Sequence, residues 1–556
     1  MVNRGRSGAC NTCKDRRVKC DETKPTCRAC KRLSLECAGY KPRAASLRFK
    51  DQTHKFLAVP SPPQSDDSPS PVRSQAASTI LPPRSPPLDP DSTDLTQAIP
   101  FYLKYYVSMG REISTGRGFF ETLLPVYSSQ PPDSALPKAV SAVALEVLHI
   151  WRHDSASFDA SQTCYAQAVA HLRNALSDPI ERSQPATVLA ILALQLYENV
   201  SAVYGLRSPT PIHHNGALSL LPLPDSNELT GPVSAFARRF VLHVEVSSAL
   251  RQKRPLKCAV RNWANINTIT AAFENPSAML DAIAVTVADL QARWAGTSNS
   301  PSPNAACDLT SEAKMIDSRL LQWAQGLPSH QQPQPVDQEI LLATPIPMYQ
   351  SSCDNYPSCQ IANLWNMWRS QRLVLVKIVL TSLQVMLEHS SYDPSKMEEY
   401  QTYQVIFQDL VDSVCRSIPF HMGNRTHSLR LSDFNDPALV ILPEYSTVAS
   451  DATPGHATAE EDPRRAHIIA RGPWHIMSPL SHLLTLLSED GDEQIASILR
   501  HGQLGWLRAQ FIRVATVMNL PFVQNSEWSD ALRIGEDGVD HLARCFREGA
   551  AFLSGL

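Results

Sequence analysis

Apolar side chains recur every three or four positions along much of the chain from about residue 98 to 556, the spacing of one buried helix face. One such helix has clear local boundaries, because Asn275 predicts the N-cap, Pro276 the first helical residue and Gly296 the end. Its predicted core stripe consists of Met279, Leu280, Ile283, Val287, Leu290 and Trp294.

The same periodicity predicts further helices and little sheet. Another apolar stripe ends at Gly326 and Pro328, and alternating runs joined by hairpin turns are few. The sequence has no repeat of fixed length, which argues against a regular solenoid. We therefore expect an all-α domain at 98–556, which we name the helical body, with a polar loop at 448–463. The second stripe is Ile316, Leu320 and Trp323, and the other predicted helices are 137–152, 161–177, 186–203 and 360–388.

Proline is concentrated just ahead of the helical body. The stretch contains Ser61-Pro62-Pro63, Ser68-Pro69-Ser70-Pro71 and Leu81-Pro82-Pro83. Such proline density opposes regular helix and favours extended, solvated chain. The sequence thus predicts three parts: a basic, cysteine-rich module at 1–50, a disordered Pro/Ser-rich linker at 51–97, and the helical body at 98–556.

Charge separates the first part from the rest. Residues 1–50 hold 14 Lys and Arg against 4 Asp and Glu, a balance of +10, although the whole chain carries −3. A basic segment attached to an acidic body indicates that only the segment seeks a polyanion.

Nothing in the sequence predicts a membrane or secretory protein. The N-terminal residues lack the apolar core of a secretory signal. The most apolar stretch, Leu373–Leu387, is shorter than the roughly 20 residues that span a bilayer. We therefore expect a soluble, intracellular protein with no membrane partner. Thiols stay reduced in that compartment, so clustered cysteines bind metal more often than they form disulfides.

Six of the 13 cysteines follow the pattern C-x2-C-x6-C-x6-C-x2-C-x6-C, in which each cysteine of the first half recurs 17 positions later. Each half supplies three thiolates, whereas structural zinc takes four ligands. Two zinc ions are satisfied when one sulfur from each half bridges both metals. Because the segment is short and buries little apolar surface, metal binding would supply most of its folding free energy. The candidate ligands are Cys10, Cys13, Cys20, Cys27, Cys30 and Cys37.

This segment resembles the fungal binuclear zinc cluster DNA-binding domain. The resemblance rests on the six cysteines, the basic run after the second of them, and the loop Lys24-Pro25-Thr26-Cys27. It implies two zinc ions, double-stranded DNA as partner, and a turn at Pro25 that joins the halves. The implied ligand assignment is that Cys10 and Cys27 bridge, Cys13 and Cys20 complete one site, and Cys30 and Cys37 complete the other.

The two halves differ in charge. Four cations and one acid, Asp15, lie between the second and third cysteines. The equivalent part of the second half has two cations and one acid, in the sequence Lys31-Arg32-Leu33-Ser34-Leu35-Glu36. The first half is therefore the candidate DNA face. The resemblance implies a short helix that begins near Cys13, enters the major groove and recognises CGG-like triplets, with Arg16 and Arg17 on the bases. The candidates for phosphate contacts are Lys14, Lys19, Arg28 and Lys31.

Residues 98–525 show a more diffuse resemblance to the fungal-specific transcription factor domain. It implies a helical regulatory domain and not a catalyst. The residues that carry it are Phe101-Tyr102-Leu103-Lys104-Tyr105-Tyr106, Leu123-Leu124-Pro125, His214-Asn215-Gly216-Ala217 and the helix from Leu364 to Leu380.

The sequence contains none of the motifs H-E-x-x-H, G-x-S-x-G or the P-loop, so no enzyme is predicted. Weaker candidates for catalytic or ligand-binding sites are interpreted as structural features. These are a loop for Gly116-Arg117-Gly118, capping or packing for His213 and His214, a polar loop for Cys353 and Cys359, and a helical core face for Trp365 and Trp368.

Together these patterns predict a nuclear, zinc-dependent, sequence-specific DNA-binding regulator of RNA polymerase II transcription. Its helical body either contacts coregulators or senses a small metabolite. Residues 41–97 lack sustained heptads, so either the module binds DNA as a monomer or homodimerisation lies in the helical body. The sequence is compatible with activation and with repression.

Overall fold

The computed structural model describes residues 10–16, 18–21, 23, 26–38, 95–108, 115–152, 155–205, 207–221, 232–261, 275–297, 302–336, 347–389, 393–423, 425–436, 463–489, 493–521 and 536–550. The predicted linker as far as residue 94 lies outside these ranges, as does the predicted polar loop up to residue 462. The chain divides into two units, Met1–Pro83 and Arg84–Leu556.

The described part of the first unit contains two short helices, α1 (Asn11–Asp15) and α2 (Arg28–Arg32). Each helix begins one residue after the first cysteine of its half, so the duplication in the sequence is also a duplication of local structure. Helix α1 begins two residues before Cys13, slightly earlier than the resemblance implied.

The described part of the second unit is helical, as predicted. Extended structure among these residues is limited to two-residue strands, β1 (Gln334–Pro335) antiparallel to β2 (Asp354–Asn355), and an isolated bridge between Tyr349 and Ser352. A π-helix (Leu103–Ser108) continues α3. The α-helices are α3 (Leu95–Tyr102), α4 (Phe119–Ser128), α5 (Ala135–Arg152), α6 (Ser155–Ser177), α7 (Pro179–Arg182), α8 (Pro185–Tyr204), α9 (Ile212–Leu220), α10 (Pro232–Gln252), α11 (Cys258–Arg261), α12 (Pro276–Ala295), α13 (Pro303–Gly326), α14 (Cys359–His389), α15 (Pro394–Met422), α16 (Pro463–Leu487), α17 (Glu493–Ala496), α18 (Gln503–Val517) and α19 (Glu536–Gly549), with 3₁₀ turns at Ser329–Gln331 and Leu431–Asn435.

Helix α12 shows how local signals set the boundaries. The Asn275 side chain accepts a hydrogen bond from the Ala278 amide at 3.1 Å, Pro276 is the first helical residue, and Gly296 is the C-cap. These predictions are confirmed, although Met279, which was placed in the core stripe, is 43% exposed. The described body helices α5, α6, α8, α13 and α14 contain the other predicted ranges.

The core of the second unit lies around two apolar helices. Helix α5 packs against α3, α6 and α8, and the 31-residue helix α14 packs against α12, α13, α15 and α16. By length and composition, α8 and α14 could each cross a membrane, but most of their apolar windows are buried against other helices. Their apolar composition is accounted for by that burial.

Helix α3 begins at Leu95, so the last three residues of the predicted linker are helical, because Ala98 and Phe101 pack into the core. The predicted polar loop is wrong for Cys359, which begins α14; Cys353 lies outside helix and strand, and both side chains are buried. Trp365 and Trp368 are buried core residues, as predicted.

The Gly116-Arg117-Gly118 segment is a loop with a structural role. Gly118 has φ of +116°, and a Cβ there would lie 2.5 Å from Phe236, so a side chain is excluded on both grounds. Arg117 donates to Asp281 at 3.0 Å, and Asp281 also hydrogen-bonds His243 at 2.9 Å. This buried network ties the loop to α10 and α12.

Candidate metal centre and nucleic-acid interface

The two C-x2-C pairs have the same local geometry. The Cys13 amide donates to Cys10 Sγ at 3.4 Å, and the Cys30 amide donates to Cys27 Sγ at 3.3 Å. In each case the first turn of a short helix wraps around the leading sulfur. The backbone therefore orients both sulfurs of each pair to one side, as a shared metal requires.

The sulfur atoms of the two halves converge. Cys10 Sγ lies 3.7 Å from Cys27 Sγ and 3.8 Å from Cys30 Sγ, and Cys13 Sγ lies 3.7 Å from Cys27 Sγ. Two sulfurs bound to one tetrahedral zinc at the usual bond length lie about 3.8 Å apart. The spacing between the halves therefore fits zinc coordination.

All six cysteines fall into two four-sulfur groups, and within each group the sulfurs lie within 4.8 Å of one another. Cys10 and Cys27 belong to both groups. Each group thus takes three sulfurs from one half and one from the other. The first group is Cys10, Cys13, Cys20 and Cys27, and the second is Cys10, Cys27, Cys30 and Cys37.

Sulfur replaces a hydrophobic core in this module. Among its described residues the buried cluster consists of four cysteines, with Cys20, Ala29 and Cys37 packed against it. Burial raises the pKa of the Cys10 thiol far above its usual range and also raises the pKa of Cys13. Thiolates at these positions therefore require a neighbouring cation, which a soft divalent metal supplies.

A second contact between the halves uses two polar side chains of α1. Thr12 Oγ1 donates to the Glu36 carbonyl at 3.1 Å and accepts from the Ala38 amide at 2.9 Å. Asn11 Nδ2 donates to the Ala38 carbonyl at 3.3 Å. These bonds hold the chain on both sides of Cys37 against the first half. Sequence reasoning missed them, because nothing in the cysteine spacing identifies the partner of Thr12.

The predicted DNA contacts are exposed wherever the structure describes them. Arg16 follows the C-terminal end of α1, and its side chain, like those of Lys19, Arg28 and Lys31, faces solvent. The Lys14 backbone lies in α1, its side chain is not described, and Arg17 lies outside the described residues.

The duplication places different residues at equivalent positions. Leu33 takes the place of Arg16 in the second half and is 49% exposed. Both halves therefore present a side chain at this position, a cation in the first and an apolar group in the second. An exposed cation next to a helix end suits a nucleic-acid surface, and an exposed leucine does not.

Comparison with known proteins agrees with this geometry. Residues 8–46 match the family described as the fungal Zn(2)-Cys(6) binuclear cluster domain. The segment is similar to the transcriptional regulatory protein moc3 of Schizosaccharomyces pombe, with 51% identity over 39 residues, which is 7% of this chain and 8% of that protein. It is also similar to the pestheic acid cluster transcriptional regulator 3 of Pestalotiopsis fici, with 54% identity over 44 residues, 8% of either chain.

These relatives therefore match the chain over less than a tenth of their own length. No solved structure matches the chain. The matched family covers the cysteine-rich segment alone, so the resemblance of the helical body to the fungal-specific transcription factor domain stays a prediction.

Proposed function

We propose that this protein is a zinc-dependent, sequence-specific DNA-binding regulator of RNA polymerase II transcription that acts in the nucleus. The observation that carries the proposal is the pair of four-sulfur groups sharing Cys10 and Cys27, in a segment that matches the binuclear cluster family. The similar segments in two proteins named as transcriptional regulators support it.

In this proposal the module holds two zinc ions. Cys10 and Cys27, which belong to both sulfur groups, would serve both ions; Cys13 and Cys20 would complete one site, and Cys30 and Cys37 the other. Zinc supplies positive charge and cross-links, and the six thiolates leave a net charge of −2 on the cluster. The nearby Lys and Arg side chains offset this charge.

The first half of the module reads the DNA. Arg16 and Arg17 donate paired hydrogen bonds to guanines of a CGG-like triplet in the major groove. Phosphate contacts, which position the module without reading sequence, come from Lys14, Lys19, Arg28 and Lys31.

The helical body serves regulation and contacts with coregulators, and we assign no catalytic role to the chain. Residues 41–97 lack sustained heptads, so either the module binds DNA as a monomer or the helical body forms the homodimer interface. Both proteins with a similar cysteine-rich segment are named as regulators, which supports a regulatory role for the chain.

An electrophoretic mobility shift titration with the full-length, zinc-loaded protein tests the base-reading assignment. Arg16→Ala combined with Arg17→Ala removes two guanidinium forks, each providing about 1–3 kcal/mol of discrimination. We expect the preference for a CGG-containing duplex over a scrambled duplex to fall by at least about tenfold.

The matched control is Leu33→Ala combined with Ser34→Ala, the equivalent positions of the second half. This variant should keep the preference for CGG. Equal loss in both variants, or unchanged discrimination in the arginine variant, would contradict the assignment. Zinc content measured on both variants confirms that the cluster is intact in each.

A further inference from the structure

A cavity of about 120 Å³ lies between helices α10, α14, α16 and α19 of the second unit. The described residues enclose it only in part. Its volume approaches the roughly 150 Å³ that accommodates benzene in a well-studied engineered protein. The space therefore suits a small molecule with a ring or a short chain.

Two guanidinium groups line this cavity. Arg251 Nη2 donates to Ser478 Oγ at 3.0 Å, and Arg547 Nη2 donates to the Leu250 carbonyl at 3.2 Å. Burial, together with the charge of Arg547, lowers the pKa of Arg251 to about 9. Burial also lowers the pKa of Arg547 to about 10. Both guanidinium groups line one cavity, and the charge of Arg547 disfavours the charged form of Arg251, so an anion between them would be stabilised.

The neighbouring ionisable groups leave the net charge of the cavity wall positive. Burial lowers the pKa of His482 well below its usual range, so the ring is neutral and its Nδ1 contacts Arg547. Glu489 is the carboxylate whose charge acts on Arg547, but it already pairs with Lys253 and Lys377. The cavity wall therefore carries net positive charge.

Gln371 on α14 gives a second, independent indication of a ligand. It lines the same cavity, it is 2% exposed, and neither its amide nitrogen nor its amide oxygen has a hydrogen-bond partner among the described residues. A buried amide without partners costs free energy. A ligand with an oxygen atom at this point would remove part of that cost.

The rest of the wall is largely apolar. Val374, Trp474 and Phe546 are all buried and line the cavity. An anion that fits must therefore also present apolar surface, because an inorganic anion would leave these side chains facing trapped water.

We propose that this cavity binds a small organic carboxylate, whose carboxylate is held by Arg251, Arg547 and Gln371 and whose apolar part lies against Trp474 and Phe546. The proposal concerns the helical body and does not depend on zinc or DNA binding, so either can fail without the other.

Isothermal titration calorimetry and thermal unfolding of the full-length protein test the proposal with sodium benzoate as the probe, benzamide as its neutral isostere, and inorganic phosphate as a purely polar anion. We expect saturable binding of benzoate and a rise in Tm with its concentration. Benzamide and phosphate should each bind at least about tenfold more weakly. Benzamide binding as tightly as benzoate, tighter binding of phosphate, or the absence of any benzoate binding would overturn the proposal.

Variants locate the binding site. Arg251→Gln and Arg547→Gln should each weaken benzoate binding by at least about tenfold. The matched control is Arg513→Gln, because Arg513 is a part-buried arginine on α18 that donates to backbone carbonyls away from this cavity. Benzoate should bind this variant as it binds the unchanged protein, and a loss there as large as in the cavity variants would refute the assignment.

Gln371→Leu tests the same site with a variant that should fold even if the arginine variants do not. Replacing an amide that lacks partners by an apolar group of similar size should raise the Tm of the ligand-free protein and weaken benzoate binding several-fold. A lower Tm with unchanged benzoate affinity would instead assign Gln371 a purely structural role and exclude it from the site.

Discussion

The cysteine-rich module and the helical body achieve burial by different means. The buried cluster of the module consists of four cysteine side chains, whereas that of the body is a continuous apolar core running in sequence from Ala98 to Ala550. In the module the groups brought together are ligands that need a metal. In the body they are hydrocarbon, which is stabilised by leaving water. We therefore expect the fold of the module to depend on a bound metal ion, whereas the fold of the body depends on its own apolar composition.

The largest expected difference between the two regions follows from a substitution that prevents the module from holding zinc. Cys27 belongs to both four-sulfur groups, so Cys27→Ala should empty both and remove roughly 10 kcal/mol or more of binding free energy that folds the module. Zinc content by mass spectrometry and DNA binding by mobility shift should both be lost, whereas the thermal unfolding of the helical body should not change.

Two further variants serve as an intermediate case, Cys37→Ala, and as a control, Cys307→Ala. Cys37 belongs to one group, so its variant should retain more zinc than Cys27→Ala, and the exposed Cys307 of the helical body should have no effect. Equal zinc loss for Cys27→Ala and Cys37→Ala would contradict the sharing of ligands.

Acid should destabilise the helical body by protonating Glu245. The expected loss of stability is smaller than that caused by loss of zinc from the module. Burial opposes its charge, but hydrogen bonds from His214 (2.8 Å), Arg254 (2.6 Å) and the Lys257 amide (2.9 Å) lower the pKa of Glu245 to about 2. Because the folded-state pKa is below the unfolded one, the stabilisation is complete above about pH 4.5. It is lost as the pH falls toward 2 and amounts to about 3 kcal/mol.

Urea unfolding of the helical body, followed by circular dichroism at pH 7 and at pH 3, measures this loss. Glu245→Gln should lower the free energy of unfolding at pH 7 and flatten its pH dependence. Glu312→Gln is the control, since Glu312 forms a more exposed ion pair with Arg293, expected to contribute less than about 1 kcal/mol. The same acid sensitivity in Glu245→Gln as in the unchanged protein would exclude this carboxylate as the source.

The smallest expected effect separates positioning from base reading within the module. Lys31→Ala removes an exposed cation assigned to a phosphate. It should weaken binding to CGG-containing and scrambled duplexes equally and reduce the salt dependence of binding by about one counterion. Arg182→Ala, an exposed cation of the helical body, should change neither. A change in sequence preference for Lys31→Ala would contradict the phosphate assignment and indicate that Lys31 contacts a base.

The sequence predicted features set by short-range rules. The C-x2-C pairs and the N-cap at Asn275 depend on residues within one helical turn, so spacing alone locates them. Helix α14 was predicted for a related reason, because its apolar residues recur over eight turns. Exposure was harder to predict: Met279 fits the apolar spacing yet lies at the surface, since periodicity does not say how far a stripe extends around the helix.

Features that depend on long-range contacts were not predictable. Helix α16 contains Pro473 and Pro479, residues that argue against a helix interior, and packing against α14, α15 and α18 overrides that local preference. The cavity brings together Arg251, Gln371 and Arg547, which are far apart in sequence and share no motif. The partner of Thr12 was missed because only the folded chain places Glu36 and Ala38 beside it.

The shared sulfurs have a consequence for how the module responds to metal supply. Under the proposed occupancy, each zinc takes three sulfurs from one half and one from the other, so the first ion to bind must bring both halves together. It thereby assembles most of the second site in advance. Binding of the two ions is then positively cooperative, and the population of folded modules rises steeply over a narrow range of free zinc. On this proposal partly loaded forms would be scarce, and the cysteine-rich module would be either folded and competent to bind DNA or unfolded.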